Sequence, residues 1–243
     1  MSIFKKSLVA LAATAAMAAA QAAPINVAGV VFDPDSPFDF TGTSAQIFQN
    51  RDTATGELSG YGFITTINNT LQNTFAPGGG ELTFKFSGYT PTSTTGATTF
   101  YSGGLFNVFF DASGDALNGS NLNATTAGNG LLWLSLIGNS TNSSYSLAGT
   151  VNSGPTLNGS GLLDVVGGAA AEYLDTNSKA NGADLAFTSS FTTFLNKNIN
   201  TAFGSANFNG DSVVPTTNVP EPASLALLGL GLVGMAVTRR KRK

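Results

Sequence analysis

Short stretches in which apolar and polar residues alternate are the feature that most constrains the fold of this chain. Over residues 81–87, Leu82, Phe84 and Phe86 alternate with polar side chains, so a strand would place all three on one face. Alternation and short apolar runs together predict the principal strands. The other predicted strands lie at 27–32, 61–67, 105–110, 131–137, 145–151, 162–166 and 186–192.

Turn-forming residues separate these stretches. Asn readily adopts the positive φ that tight turns require, which makes each Asn-Gly pair a predicted turn. No amphipathic helical pattern exceeds about ten residues, and only residues 167–174 suggest a short helix. The chain is therefore predicted to be all-β, an antiparallel β-sandwich of about ten strands. The Asn-Gly pairs stand at 118–119, 129–130, 158–159, 181–182 and 209–210.

The first 22 residues have the three parts of a secretory signal peptide. Lys5 and Lys6 precede an apolar run, and Ala20 and Ala22 supply small residues at the positions that a signal peptidase requires. The run is shorter than the ~20 residues of a membrane span. We therefore expect passage through the Sec export machinery and cleavage by signal peptidase after Ala22.

The C-terminal segment has a different three-part order. The triplet Pro220, Glu221 and Pro222 is followed by an apolar stretch at 223–238 and by five basic residues at 239–243. As a helix, the uncharged residues 223–237 would reach about 22 Å, somewhat short of the ~30 Å hydrocarbon core, and clustered basic residues stay in the cytoplasm. We predict a passenger domain at 23–215 and a short transmembrane sorting helix within 216–243.

This tail resembles the PEP-CTERM sorting signal of Gram-negative bacteria, in the triplet, in the glycine-spaced apolar stretch and in Arg239 and Arg240 with their basic neighbours. The resemblance implies recognition and removal of the tail by an exosortase. The protein would be inserted transiently in the inner membrane and then released to the extracellular matrix at the cell surface. A permanent tail anchor is the alternative.

The passenger is strongly acidic once both ends are set aside. It keeps four of the 11 basic residues and 13 of the 14 acidic ones, which gives a net charge of −9. A nucleic-acid partner would require a basic surface, so this class of binding protein is excluded.

The chain has neither cysteine nor histidine. That excludes disulfides, Ser-His-Asp and Cys-His catalysis and ordinary zinc sites, and leaves oxygen ligands of the kind that calcium takes. Asp33, Asp35 and Asp39 form the candidate calcium site, with a solvated acidic loop as the alternative, and residues 111–115 form a second candidate. We otherwise expect no cofactor.

No pair of carboxylates is marked out for glycoside hydrolysis, so we expect no enzymatic activity. Lectin-like carbohydrate binding is a stronger alternative, because aromatic faces stack on sugars. Trp133 lies in an apolar run and is predicted to belong to the core. The other candidate aromatic residues are Tyr61, Tyr89, Tyr101 and Tyr145.

The passenger also resembles the flocculation-associated PEP-CTERM protein family, called PepA. The resemblance implies an extracellular protein that promotes flocculation by retaining exopolysaccharide in cell aggregates, with extracellular polysaccharide as its partner. The matching segments lie at 23–27, 32–35, 38–40, 60–62, 64–68, 81–84, 132–136, 161–168, 182–184 and 187–191.

Overall fold

The structure is a computed structural model that describes residues 24–34, 40–116, 121–140, 144–152, 156–193 and 201–213. These residues belong to one compact unit, Pro24–Val213. The predicted signal peptide and sorting segment lie outside the described residues. Within the described part of the chain, no helix is both long enough and apolar enough to span a membrane.

Strands account for most of the described residues, and the helices are short. The strands are β1 (Ile25–Val27), β2 (Val30–Phe32), β3 (Phe40–Arg51), β4 (Leu58–Phe63), β5 (Thr66–Ile67), β6 (Thr70–Leu71), β7 (Glu81–Thr95), β8 (Thr98–Asp111), β9 (Leu131–Gly138), β10 (Leu147–Val151), β11 (Thr156–Gly167), β12 (Leu185–Thr193) and β13 (Thr201–Gly210). The helices are α1 (Gln72–Phe75) and α2 (Ala171–Leu174), with 3-10 turns at Thr126–Gly128 and Ala180–Gly182.

Eleven of these strands form one antiparallel sheet that closes on itself. Its order is β13-β12-β11-β10-β8-β7-β4-β3-β5-β6, and β13 also pairs with β3, which closes the ring. Between β8 and β11, β10 fills one half of the gap and β9 fills the other half. The closed sheet is a barrel whose principal strands have no free edge.

The prediction of an antiparallel all-β fold is confirmed. The two faces expected of a sandwich are here opposite walls of one continuous sheet. The physical reason is that β13 pairs along its length with both β12 and β3, so the walls are joined by backbone hydrogen bonds.

Phenylalanine side chains fill the interior. Leu82, Phe84 and Phe86 of β7 are all buried, as the alternation predicts. The Phe84 and Phe106 rings stack with centroids 4.8 Å apart, and Phe106 meets Phe208 edge-on at 5.0 Å. Aromatic pairs in such offset and edge geometries contribute about 0.5–1.5 kcal/mol beyond the area that they bury.

Glycine on β4 makes room for these rings. A Cβ at Gly60 would overlap the Phe48 carbonyl oxygen and the Phe86 ring. The absence of a side chain therefore allows Phe86 to lie across the inner face of β4.

A hairpin covers one end of the ring. The Trp133 indole nitrogen donates to the Val27 carbonyl oxygen at 3.0 Å, and the Phe32 ring meets the rings of Phe40, Trp133 and Tyr173. Trp133 is fully buried, which confirms its predicted core position. We call this the capped end.

The prediction of a single strand over residues 27–32 was wrong. Residues 28 and 29 have positive φ values of 50° and 96° and form the turn between β1 and β2. Val27 therefore pairs with Val30 across a two-residue turn. The run is continuously apolar because the whole hairpin packs against the core, and this hides the turn from a sequence pattern.

Two of the predicted Asn-Gly turns were also wrong. Asn158-Gly159 lies inside β11 and Asn209-Gly210 ends β13. Gly159 is needed for space, because a Cβ there would lie 2.5 Å from the Ser189 hydroxyl oxygen. By contrast, Asn181 and Gly182 have φ values of 61° and 72° and do form a turn.

Candidate functional site: an aromatic row on the outer face

A transverse row of side chains crosses the outer face of the barrel. The register pairs Phe203 of β13 with Phe48 of β3, Phe48 with Tyr61 of β4, Tyr61 with Lys85 of β7, and Lys85 with Asn107 of β8. We call these five residues the outer row. Because neighbouring strands lie ~4.8 Å apart, the row spans about 19 Å.

The three aromatic side chains of the outer row form a continuous platform. The Phe48 and Tyr61 rings stack with centroids 5.3 Å apart, and Phe203 lies 6.5 Å from Phe48. Phe203 is 44% exposed, while Phe48 and Tyr61 are half-buried. Aromatic surface is thus available to a ligand that lies across the strands.

A groove of about 610 Å³ runs along this platform. Asn50, Ser59 and Ser87 line it, together with most of the outer row, and none of its lining residues is acidic. The Ser135 hydroxyl donates to Asn107 Oδ1 at 2.7 Å. This contact leaves the Asn107 amide N–H groups available as donors. The groove combines aromatic faces with hydrogen-bonding groups, as ligand sites generally do.

The distribution of cations distinguishes the concave surfaces from the rest of the molecule. The described residues include three cations, Arg51, Lys85 and Lys179. Lys179 forms an ion pair with Asp211 at 2.8 Å. Arg51 and Lys85 form no ion pair within the described part, and each lines a different concavity that lacks acidic residues. Each concavity is therefore lined by one cation and by no acidic residue.

Three carboxyl groups meet where β7 begins and β8 ends. Glu81 pairs with Asp111 in the register, and carboxylate oxygens of Glu81, Asp111 and Asp115 all lie within 4.8 Å of one another. Glu81 is fully buried and accepts a hydrogen bond from the Ala116 N–H at 2.9 Å. The Asn129 amide donates to Asp115 at 2.9 Å. This donor set is of the oxygen type that calcium and magnesium take.

The first calcium candidate falls mostly outside the described residues. Asp33 lies half-buried after β2, and Asp35 and Asp39 are not described. Calcium binding by this triad stays a prediction. So do the roles predicted for Ala20 and Ala22 in cleavage, and those predicted for Pro220, Glu221, Pro222, Arg239 and Arg240 in sorting, because these residues are also outside the described part.

The candidate aromatic residues occupy three different environments. Tyr61 belongs to the outer row, whereas Tyr145 is 36% exposed and packs against Phe100 with ring centroids 4.6 Å apart. Tyr89 and Tyr101 are buried and line a separate cavity inside the barrel. The structure does not bring the four tyrosines together.

Sequence reasoning missed Phe48, Phe203 and Lys85 as members of one site, and it missed Glu81 as a neighbour of Asp111. The signal that could have found them is strand register, since all are direct cross-strand partners. Alternation predicts which face a residue occupies, but it does not predict which residue lies opposite it.

The C-terminal residues match a known sorting signal. A family model of the PEP-CTERM protein-sorting motif matches residues 218–243, a segment that includes the Pro-Glu-Pro triplet, the apolar stretch and the basic run. The chain carries a PEP-CTERM sorting motif. This confirms the predicted resemblance of the tail, and it identifies an exported protein that an exosortase sorts to the cell surface.

The PEP-CTERM motif accounts for the tail alone. Comparison of the chain with curated proteins and with solved structures found no match in either set.

Proposed function

We propose that this PEP-CTERM protein is a non-catalytic component of the extracellular matrix that promotes flocculation by retaining exopolysaccharide in cell aggregates. The resemblance of the passenger to the flocculation-associated PepA family supports this role. Export through the sorting motif would deliver the barrel to the compartment where exopolysaccharide accumulates.

The outer row is the observation that carries the proposal. Its aromatic faces can pack against the C–H faces of sugar rings, whose weakly positive hydrogens complement the negative face of an aromatic ring. Asn107 and Lys85 extend the row with hydrogen-bond donors. The outer row, about 19 Å long, suits several successive units of a chain.

Local charge supports the same surface. A net charge of −9 repels an anionic polymer from most of the passenger, whereas Lys85 offers a cation that has no ion pair among the described residues, in a groove that lacks acidic lining residues. An exopolysaccharide that carries acidic sugars would therefore engage this groove in preference to the remaining surface.

The proposal is tested in a strain that lacks this chain. We expect cells to disperse while polysaccharide is still made but is recovered free in the medium. Unchanged settling, with an unchanged split of polysaccharide between aggregate and medium, would contradict a flocculation role and leave the sorting motif as the established feature.

Complementation with single-residue variants then tests the outer row. Phe203→Ser removes an exposed ring of the platform, and Leu71→Ser is the matched control because Leu71 is 64% exposed on β6, away from the row. We expect Phe203→Ser to reduce settling and the fraction of protein pulled down by purified exopolysaccharide, whereas Leu71→Ser restores both. Equal performance of the two variants, at equal secreted amounts, would exclude the outer row as the contact.

Two alternatives predict different outcomes. A lectin-like surface protein would bind the polysaccharide through the outer row, but its deletion would leave settling unchanged. A permanently tail-anchored protein would stay in the membrane fraction with its tail intact, whereas the exported matrix protein would be recovered from the medium and from flocs without it.

A further inference from the structure

A second concavity lies inside the barrel, at the end opposite the capping hairpin. This mouth cavity has a volume of about 130 Å³ and is bordered by β3, β4, β7, β8, β10, β11 and β12. Eight-stranded barrels are wide enough to hold one small ligand in this position. Tyr61, Lys85 and Phe203 do not line the mouth cavity. Ligand binding in the mouth cavity is therefore independent of polysaccharide binding at the outer row.

The inner wall of the mouth cavity is apolar. Phe86, Phe106 and Phe187 supply aromatic surface, and Leu147 and Leu157 complete the wall. All five side chains are at most 9% exposed. An apolar cavity of 150 Å³ holds a benzene molecule in another protein, so a body about the size of one ring fits here.

Two tyrosine hydroxyl groups open onto this cavity. The side chains of Tyr89 and Tyr101 line the mouth cavity and are only 4% and 5% exposed. Within the described residues, neither hydroxyl makes a hydrogen bond. Neither hydroxyl oxygen is fully enclosed by protein, so both are accessible as hydrogen-bond donors to a ligand in the cavity.

A cation stands at the rim of the same cavity. Arg51 is half-buried at the end of β3 and lines the mouth cavity with Gln49. No described group forms an ion pair or a hydrogen bond with its guanidinium, and no acidic residue lines the cavity. A guanidinium in this position can receive a carboxylate in bidentate geometry.

We propose that the mouth cavity binds a small organic carboxylate whose apolar body is about the size of one aromatic ring. The body packs against Phe86, Phe106 and Phe187, and the carboxylate pairs with Arg51 and accepts hydrogen bonds from the tyrosine hydroxyls. The ligand thereby supplies the anionic group that the lining of the cavity lacks.

Calorimetric titration of the full chain with two probes tests this assignment. Phenylacetate carries a ring and a carboxylate, and phenylacetamide is its uncharged isostere. We expect one phenylacetate per chain, bound about tenfold more tightly than phenylacetamide, since a charge-assisted hydrogen bond typically contributes this much.

Variants assign the binding to the mouth cavity. Arg51→Met removes the cation and keeps the length of the side chain, so we expect it to abolish the preference for phenylacetate over phenylacetamide. Lys85→Met removes the same charge from the outer groove and is expected to leave both affinities unchanged. Melting temperatures of both variants, measured without ligand, verify that each one is folded.

Three results would overturn the proposal. The first is that neither probe produces heat or raises the melting temperature of the wild-type chain. The second is that Lys85→Met weakens phenylacetate binding as much as Arg51→Met does. The third is that glucuronate binds and displaces phenylacetate at lower concentration, which would assign the cavity to an acidic sugar.

Discussion

The Tyr89 side chain is buried, but its hydroxyl group opens onto the mouth cavity. Its ring packs over Gly104, where a Cβ would overlap the ring atoms. The hydroxyl makes no hydrogen bond among the described residues. An acceptor in the cavity would therefore bind this hydroxyl without displacing an internal hydrogen bond.

Tyr89→Phe removes the hydroxyl and keeps the ring. We expect the free energy of unfolding to change by less than about 1 kcal/mol, because the hydroxyl makes no hydrogen bond among the described residues and is not fully enclosed. Chemical denaturation with urea measures the change. A loss of more than about 1 kcal/mol would show instead that the hydroxyl has a partner in solution.

The same residue predicts a dependence on alkaline pH. Burial raises the pKa of Tyr89 well above its ordinary value of 10.0, because the phenolate would be desolvated. Above pH 10.0, Tyr89 of the unfolded chain releases its hydroxyl proton, whereas Tyr89 of the folded chain retains it. Stability is therefore unaffected by this group at lower pH, and it decreases by up to about 1.4 kcal/mol per pH unit as the pH rises further.

Denaturation curves of wild type and Tyr89→Phe at several alkaline pH values test this dependence. We expect the difference in free energy of unfolding between the two proteins to widen in favour of the variant as the pH rises above 10.0. Parallel curves would contradict the raised pKa.

At the scale of the element, β4 illustrates how glycine positions determine the packing of a closed sheet. Gly60 faces inward, and Phe86 occupies the space that a side chain would fill. Gly149 of β10 also faces the interior, but there a Cβ would lie 3.5 Å from the Tyr101 ring, an ordinary contact distance. Two inward glycines thus differ in whether the space beside them is filled.

Gly60→Ala and Gly149→Ala form a matched pair of variants. We expect Gly60→Ala to destabilise the barrel by about 1–3 kcal/mol through overpacking. Gly149→Ala is expected to be neutral or to stabilise it by up to about 1 kcal/mol, because glycine inside a strand is unfavourable. Thermal unfolding monitored by circular dichroism compares them, and equal effects would contradict the packing argument.

The strands could be predicted from the sequence because alternation is a local property. Leu82, Phe84 and Phe86 mark one face of β7 without reference to any other strand. The outer row could not be predicted, since Phe48 becomes part of an aromatic surface only when Tyr61 and Phe203 are placed on either side of it. Register depends on turns, bulges and closure of the barrel. The sequence pattern hid the turn within residues 27–32, and it indicated turns at two Asn-Gly pairs that belong to strands.

At the scale of the whole molecule, the sequence best predicts features that depend only on the order of residues along the chain. The PEP-CTERM motif is recognised by the order of its parts along the chain, so no pairing had to be known. The closed barrel depends on contacts between residues that are distant in sequence, and the sequence allowed a sandwich equally well. The outer row and the mouth cavity depend on the same contacts.

Glu221→Ala tests the sorting motif in the intact protein. We expect the precursor to accumulate in the membrane fraction and the processed form to disappear from the medium, because the exosortase no longer recognises its triplet. Immunoblotting of the membrane fraction and the medium measures the ratio of precursor to processed protein. A strain without its exosortase should show the same ratio, and normal processing of the variant would contradict the role of Glu221.

Closure through β13 also determines when the barrel can be completed during export. Among the described residues, the strand that joins β12 to β3 is the last in the chain, so we expect the ring to stay open until residue 210 has crossed the membrane. Until then, β3 and β12 each present an unpaired edge, and open edges recruit other strands. We therefore expect the barrel to close through residues 201–210 only shortly before the sorting motif at residues 218–243 reaches the membrane.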